Sequence, residues 1–164
     1  MALIKNWDNN TWLSSKDYIR SFSKFLIQNT KLNFKSEILD IGCGRGKISG
    51  NLYSELKLTS KPIGIDIANH KDKDKRVKFK KSNGLTFLNK NKNFFDLILI
   101  KQTIHLLKMN EITKLINLCK KSLKSKGVIV VLTLDPNKNE IPTFKLMNTK
   151  LENSLNRDKK IITL

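Results

Sequence analysis

The amino-acid sequence predicts an α/β protein built on a doubly wound, mostly parallel sheet with helices on both faces. Three observations carry this. Glu37 to Ile41, Pro62 to Ile67, Phe94 to Ile100 and Val128 to Leu134 are short and apolar on both sides, as strands buried on two faces require. They alternate with segments whose apolar residues recur at helical spacing. The first of them also runs straight into alternating glycines at 42, 44 and 46 and then into a helix.

Taken in order, Ser14-Ser15-Lys16-Asp17 fits a capping box, and Tyr18, Phe22, Phe25 and Leu26 form one face of a helix over 15–29. The strand at 37–41 closes at Gly42, and Ile48, Leu52 and Leu56 mark a helix over 47–56. Two strands follow, at 62–67 and, alternating around Val77 and Phe79, at 76–81. Only the stretch from Ala68 to Arg76 separates them, less than the dozen or more residues a parallel crossover normally takes. A loop or a single helical turn is expected there. The strand at 94–100 precedes a helix over 108–123, with Ile112, Leu115, Ile116, Cys119 and Leu123 on one face, and then Gly127 and the last apolar run. Phe144 to Leu155 has helical character, and the sequence ends in the strand-like Ile161-Ile162-Thr163-Leu164. The expectation is one domain over 1–164: an N-terminal helical lid at 1–30, a core at 37–134, and a C-terminal part at 135–164 whose closing hairpin is incomplete.

Length and 39% apolar content suit a single core. The longest apolar run is far shorter than the roughly 20 residues that cross a bilayer, and the N-terminus lacks a secretory h-region. No membrane association and a cytoplasmic location are expected. Cys43 and Cys119 have no metal-site spacing, so no metal is expected and both are read as reduced thiols. The net charge of +18 would attract polyanions. It comes from 28 Lys and 4 Arg spread along the chain, however, and Arg is the residue of bidentate phosphate and base contacts.

In the segment Glu37 to Gly46, glycines let the backbone turn tightly and approach a ligand, and the helix start favours polar or anionic groups. A dinucleotide fold would place a third glycine at position 47, which is Lys47. At this point Leu39-Asp40-Ile41-Gly42-Cys43-Gly44-Arg45-Gly46 resembles the first motif of the class I S-adenosylmethionine-dependent methyltransferase family, a Rossmann-like fold. The resemblance implies S-adenosylmethionine as cofactor, with Gly42, Cys43, Gly44 and Gly46 close to its amino-acid part. Asp40 would orient the turn and lie near the cofactor's amino group.

Asp66 ends the second strand, where a carboxylate can accept two hydrogen bonds from vicinal ribose hydroxyls. The family uses an acid there in that way, with Ile67 beside it. After the third strand, Asn83 and Gly84 stand where the family commonly has an acid that meets the adenine amino group. Asn83 offers an acceptor oxygen, and an ordinary turn role stays equally open. Phe95 to Leu107 resembles the family's fourth strand and the segment beyond it, so Lys101 and Gln102 would border the cofactor. His105 is the candidate catalytic residue, since imidazole takes a proton near neutral pH, against the alternative of a helix-start histidine bonded to backbone. Asp96, at the strand's beginning, is read as structural. Trp7 and Trp12 are candidates for an aromatic lid over the pocket or for docking on the core.

Base-modifying members carry Asp/Asn-Pro-Pro-aromatic after the fourth strand, where this chain has Lys101-Gln102-Thr103-Ile104. Ribose 2′-O members place Asp after strand four and Lys after strand five, the reverse of Lys101 and Asp135. The expected reaction is therefore methyl transfer to a small-molecule acceptor. The alternatives are an RNA acceptor and a truncated, non-catalytic binding module on the same fold.

Overall fold

The computed structural model describes residues 16–133. Ser14, Ser15, Trp7, Trp12, Asp135 and the expected C-terminal elements lie outside the described residues. The elements are α1 (Lys16–Asn29), β1 (Ile38–Ile41), α2 (Lys47–Glu55), β2 (Ile63–Asp66), β3 (Lys78–Lys81), α3 (Gly84–Leu88), β4 (Phe95–Lys101), a 3-10 helix (Ile104–Leu106), α4 (Met109–Ser122) and β5 (Leu123–Leu132). The strands form one sheet in the order β3-β2-β1-β4-β5, every neighbouring pair parallel. Strand order reverses between β1 and β4, which makes their carboxyl ends the topological switch point where ligands bind in such sheets.

Side-chain alternation along the central strands builds a core on each face. Ile38, Leu97 and Leu99 join Phe22 and Leu26 of α1 and Ile48 and Leu52 of α2. Leu39, Ile41, Ile98 and Ile100 join Phe87 and Leu88 of α3 and Ile112, Leu115 and Cys119 of α4. Phe95 and Leu97 to Ile100 of β4 are all 0% exposed, so the middle of the sheet never meets water. This is the two-sided burial that the unbroken apolar runs anticipated.

The short connection between β2 and β3 contains no helix. A side-chain staple holds it instead: Arg76 donates from Nε and Nη2 to the two oxygens of Asp74, at 2.9 and 2.8 Å, and from Nη1 to Ser54 Oγ of α2 at 2.8 Å. The Asp74 amide also donates to Arg45 O. Arg76 and Val77, expected in the strand, fall outside β3 because Arg76 is turned into this staple. Val77 packs instead against the backbone at Gly46 and Gly64.

Two elements differ further from the sequence reading. α3 was not anticipated; Asn83 caps it, its Oδ1 accepting from the Thr86 amide at 2.8 Å, and at five residues it is too short to show periodicity. β5 begins at Leu123, directly after α4, and shifts register between its pairings Phe95↔Leu123 and Leu97↔Val128. Gly127 sits in that irregular stretch, where a Cβ would lie 2.7 Å from the Phe95 carbonyl oxygen. On the opposite edge, β3 presents exposed Lys78, Lys80 and Lys81. No helix among the described residues is long and apolar enough to cross a membrane.

Candidate functional site

β1 delivers the chain to the switch point and the glycine turn carries it into α2. Gly42, Gly44 and Gly46 all have left-handed backbones, with φ of +68°, +55° and +68°. The turn's amides are distributed in order. Gly42 and Cys43 both donate to Ile65 O, Gly44 donates to Asp66 Oδ2 at 2.9 Å, and Gly46 donates to Cys43 O. Gly46 is the N-cap of α2 and supplies no side-chain cap. The first turn of a nine-residue helix thus begins without a capping side chain from its N-cap residue, a ready position for polar ligand groups.

Asp40 is 3% exposed and points to the α2 side of the sheet, where Ser49 Oγ donates to its Oδ2. Its visible work is to tie β1 to α2 beneath the turn. Cys43 follows, half-buried, its sulfur against Gly64; burial, with the Asp40 and Asp66 carboxylates nearby, pushes its thiol far up, so it stays neutral. Asp66 completes this side. Its Oδ1 accepts from the Ala68 amide at 2.8 Å, its Oδ2 from Gly44, and His70 Nε2 lies 3.5 Å from Oδ2. Ile67 is 71% exposed, an apolar side chain held in water at the strand's carboxyl end.

Asn83 and Gly84 lie at the end of β3, beyond Asp66. The Asn83 oxygen is engaged as the α3 cap, and Gly84 lets α3 approach α4, since a Cβ there would meet Leu115 at 2.7 Å. On the other side of the switch point, Lys101 places its ammonium 5.7 Å from the Tyr18 ring centroid, linking β4 to α1. Gln102 has φ of +52°, unusual for a residue with a side chain, and its Oε1 is buried with no hydrogen-bond partner among the described residues. Thr103 follows, its Oγ1 against Gly42 and donating to Lys101 O at 2.9 Å. His105 lies in the 3-10 helix just after β4, beside Leu106, which is 52% exposed.

The structure therefore brings the glycine turn, Asp66, Ile67, Asn83, Lys101, Gln102 and His105 to one rim, across the carboxyl ends of β3, β2, β1 and β4. Asp40 is beneath that rim. Asp96 is at the opposite end, accepting from the Glu37 amide and pairing with Lys124, each at 2.7 Å. A groove lined by Lys120, Leu123, Lys124 and Gly127 is also at that amino end, remote from the predicted site residues. Sequence reasoning missed Ser49, His70 and Thr103. Each matters only through a contact across the fold or a loop, and no motif marks them. Among the described residues no group of His, Cys, Asp and Glu has the arrangement of a metal site.

A glycine turn into a helix, with an acid at the end of the neighbouring strand, is the arrangement of nucleotide-type sites on doubly wound sheets. The chain belongs to the methyltransferase-domain family: the family profile described as "Methyltransferase domain" matches residues 32–162. Family and fold agree with the resemblance carried by residues 39–46. A SAM-dependent methyltransferase from Archaeoglobus fulgidus superposes with a TM-score of 0.66 at 23% identity, over 85% of this chain and 61% of that one. A putative methyltransferase of an antibiotic biosynthesis pathway from Anabaena variabilis gives 0.61 at 19% identity, over 84% and 55%. The 1,6-didemethyltoxoflavin-N1-methyltransferase of Burkholderia thailandensis, with 1,6-didemethyltoxoflavin and S-adenosylhomocysteine bound, gives 0.56 at 16% identity, over 69% and 50%. The chain spans about half to three fifths of the length of these solved relatives. A comparison with curated proteins finds no match.

Proposed function

We propose that the chain binds S-adenosylmethionine at the carboxyl rim of its sheet and transfers the methyl group to a small-molecule acceptor. The observation that carries this is the pairing of the left-handed glycine turn with Asp66, joined by the 2.9 Å bond from the Gly44 amide. The residues present fit such a cofactor. The start of α2 suits its polar amino-acid part, a carboxylate at the strand end suits a ribose diol, and exposed Ile67 suits one face of an adenine.

Bound there, the cofactor supplies an activated methyl group on a sulfonium. The chain's own residues hold and orient. Gly42, Cys43, Gly44 and Gly46 form the cradle, and Asp40 secures it from below through Ser49. Asp66 accepts from the ribose, and Asn83 spends its second lone pair on the adenine amino group while capping α3. Gly84 admits α3 close to the core, and Lys101 and Gln102 border the methionine end. His105 takes the proton released by an acceptor hydroxyl or amine. Proximity and orientation supply most of the acceleration in such a transfer.

Isothermal titration of S-adenosylmethionine and S-adenosylhomocysteine into the chain tests this, with Asp66→Ala as control. Micromolar binding, weakened at least about tenfold by the substitution, is expected, because hydrogen bonds to a charged group are worth about 1.5–3 kcal/mol each. No binding by the folded chain would favour a binding module without turnover. An RNA acceptor is the second reading, favoured by the net charge of +18 and the exposed lysines of β3. A steep fall of turnover with salt would select it.

A further inference from the structure

We propose that His70 is a placeholder for a ribose hydroxyl on Asp66, so that a charged His70 and the cofactor compete for the same carboxylate. The proposal rests on the reading of Asp66 as the ribose acceptor. An ionised carboxylate offers about four lone-pair sites. The Ala68 amide takes one on Oδ1, the Gly44 amide takes one on Oδ2, and His70 Nε2 approaches Oδ2 to 3.5 Å. With His70 against Oδ2 the approach of outside donors to the carboxylate is crowded, and a vicinal diol needs two sites.

Something must withdraw, and the two amides cannot. Gly44 is locked in the turn by its neighbours' bonds to Ile65 O, and Ala68 is two residues from Asp66 in a tight Asx turn. His70 is a side chain on a helix-free loop, 26% exposed, and needs only a rotamer change to leave. It is the one donor of the three that can move without moving backbone.

Other charged and titratable groups surround this pair. Lys73, on the same loop, binds Asn69 Oδ1 and lies over the Phe79 ring at 4.1 Å. Lys81 of β3 is the register partner of Asp66, and Lys71 and Asp72 follow the histidine in the chain. Cys43, from the glycine turn, stays a neutral thiol. Histidine is the residue type that ordinarily changes charge near neutral pH. A charged His70 has Asp66 as its neighbour at 3.5 Å in the free protein and gives that place up in the proposed complex, so the exchange releases a proton. Affinity therefore falls as pH drops through the histidine range.

The test is titration of S-adenosylhomocysteine into the full chain at pH 7.5 and 5.5, for wild type and His70→Gln. A midpoint displaced by one pH unit corresponds to about a tenfold change in affinity. Wild type should bind about three- to tenfold more weakly at pH 5.5, with proton release at pH 6.5 visible as a dependence of heat on buffer ionisation enthalpy. His70→Gln should show neither, and should bind more tightly than wild type at pH 5.5. A flat wild-type profile, or one shared by His70→Gln, overturns the proposal while leaving the cofactor site standing. So does weaker binding by His70→Gln at pH 7.5, which would make His70 a supporting donor retained in the complex. Absence of binding by folded wild type at pH 7.5 removes both this inference and the cofactor reading beneath it.

Discussion

Replacing Gly42 by alanine tests whether the glycine turn is fixed by the protein's own packing. Two separable costs follow from the structure. Gly42 has φ of +68°, and a side chain in the left-handed region costs about 1–2 kcal/mol. The new Cβ would also lie 1.9 Å from Thr103 Oγ1 and 2.8 Å from both Thr103 Cβ and Cγ2. Thr103 cannot turn aside freely, because Oγ1 donates its one hydrogen to Lys101 O at 2.9 Å, with Ile41 O as the other acceptor in reach at 3.3 Å. Overpacking of this kind costs about 1–3 kcal/mol, for a total of about 2–5 kcal/mol. Urea unfolding of wild type, Gly42→Ala, Thr103→Gly and the double variant closes a cycle that isolates the steric part. Thr103→Gly should recover about 1–3 kcal/mol of the Gly42→Ala loss and leave the backbone strain. A Gly42→Ala loss below about 0.5 kcal/mol, or no coupling between the two sites, refutes the reasoning.

Acid stability and thiol chemistry give two further checks. Arg76 holds the Asp74 carboxyl below its ordinary value, chiefly by the side-chain hydrogen bond, so Asp74 contributes stability above the ordinary carboxylate range and loses it as pH falls through its lowered value. Unfolding midpoints followed from pH 6 down to pH 2.5 should fall more steeply below about pH 4 in wild type than in Arg76→Met; parallel curves would dismiss the staple as a contributor. Burial keeps both thiols protonated, Cys119 pushed up to about 12 and Cys43 higher, so Ellman's reagent at pH 8 should react with neither in the native chain and with both in urea. Fast native labelling at Cys43 would mean that the glycine turn opens.

What was legible in the sequence was what local pattern encodes. The buried strands declare themselves as apolar runs, and the glycine turn and Asp66 stand close to sequence neighbours that reveal their setting. The reason for Gly42 was different from the one first apparent. Ligand approach was read from the motif, yet Thr103, 61 positions away by number, already forbids a side chain there. Ser49 beneath Asp40 and His70 beside Asp66 were silent for the same reason: a serine in a helix and a histidine in a lysine-rich loop carry no pattern, and only folding sets them against a carboxylate. α3 is a single turn, below the length at which periodicity speaks. The register shift of β5 sets Gly127 against the Phe95 backbone, which no segment shows by itself.

The lysines that make β3 look like a polyanion surface also decide how this sheet can grow. An edge strand is a template for any passing strand. Lys78, Lys80 and Lys81 are all exposed on it, and Lys73 covers the one aromatic between them, Phe79. A second copy aligned strand to strand at this edge would bring several ammonium groups close to one another. The like charges work against strand-to-strand pairing of two copies at β3, and that opposition weakens where salt is high.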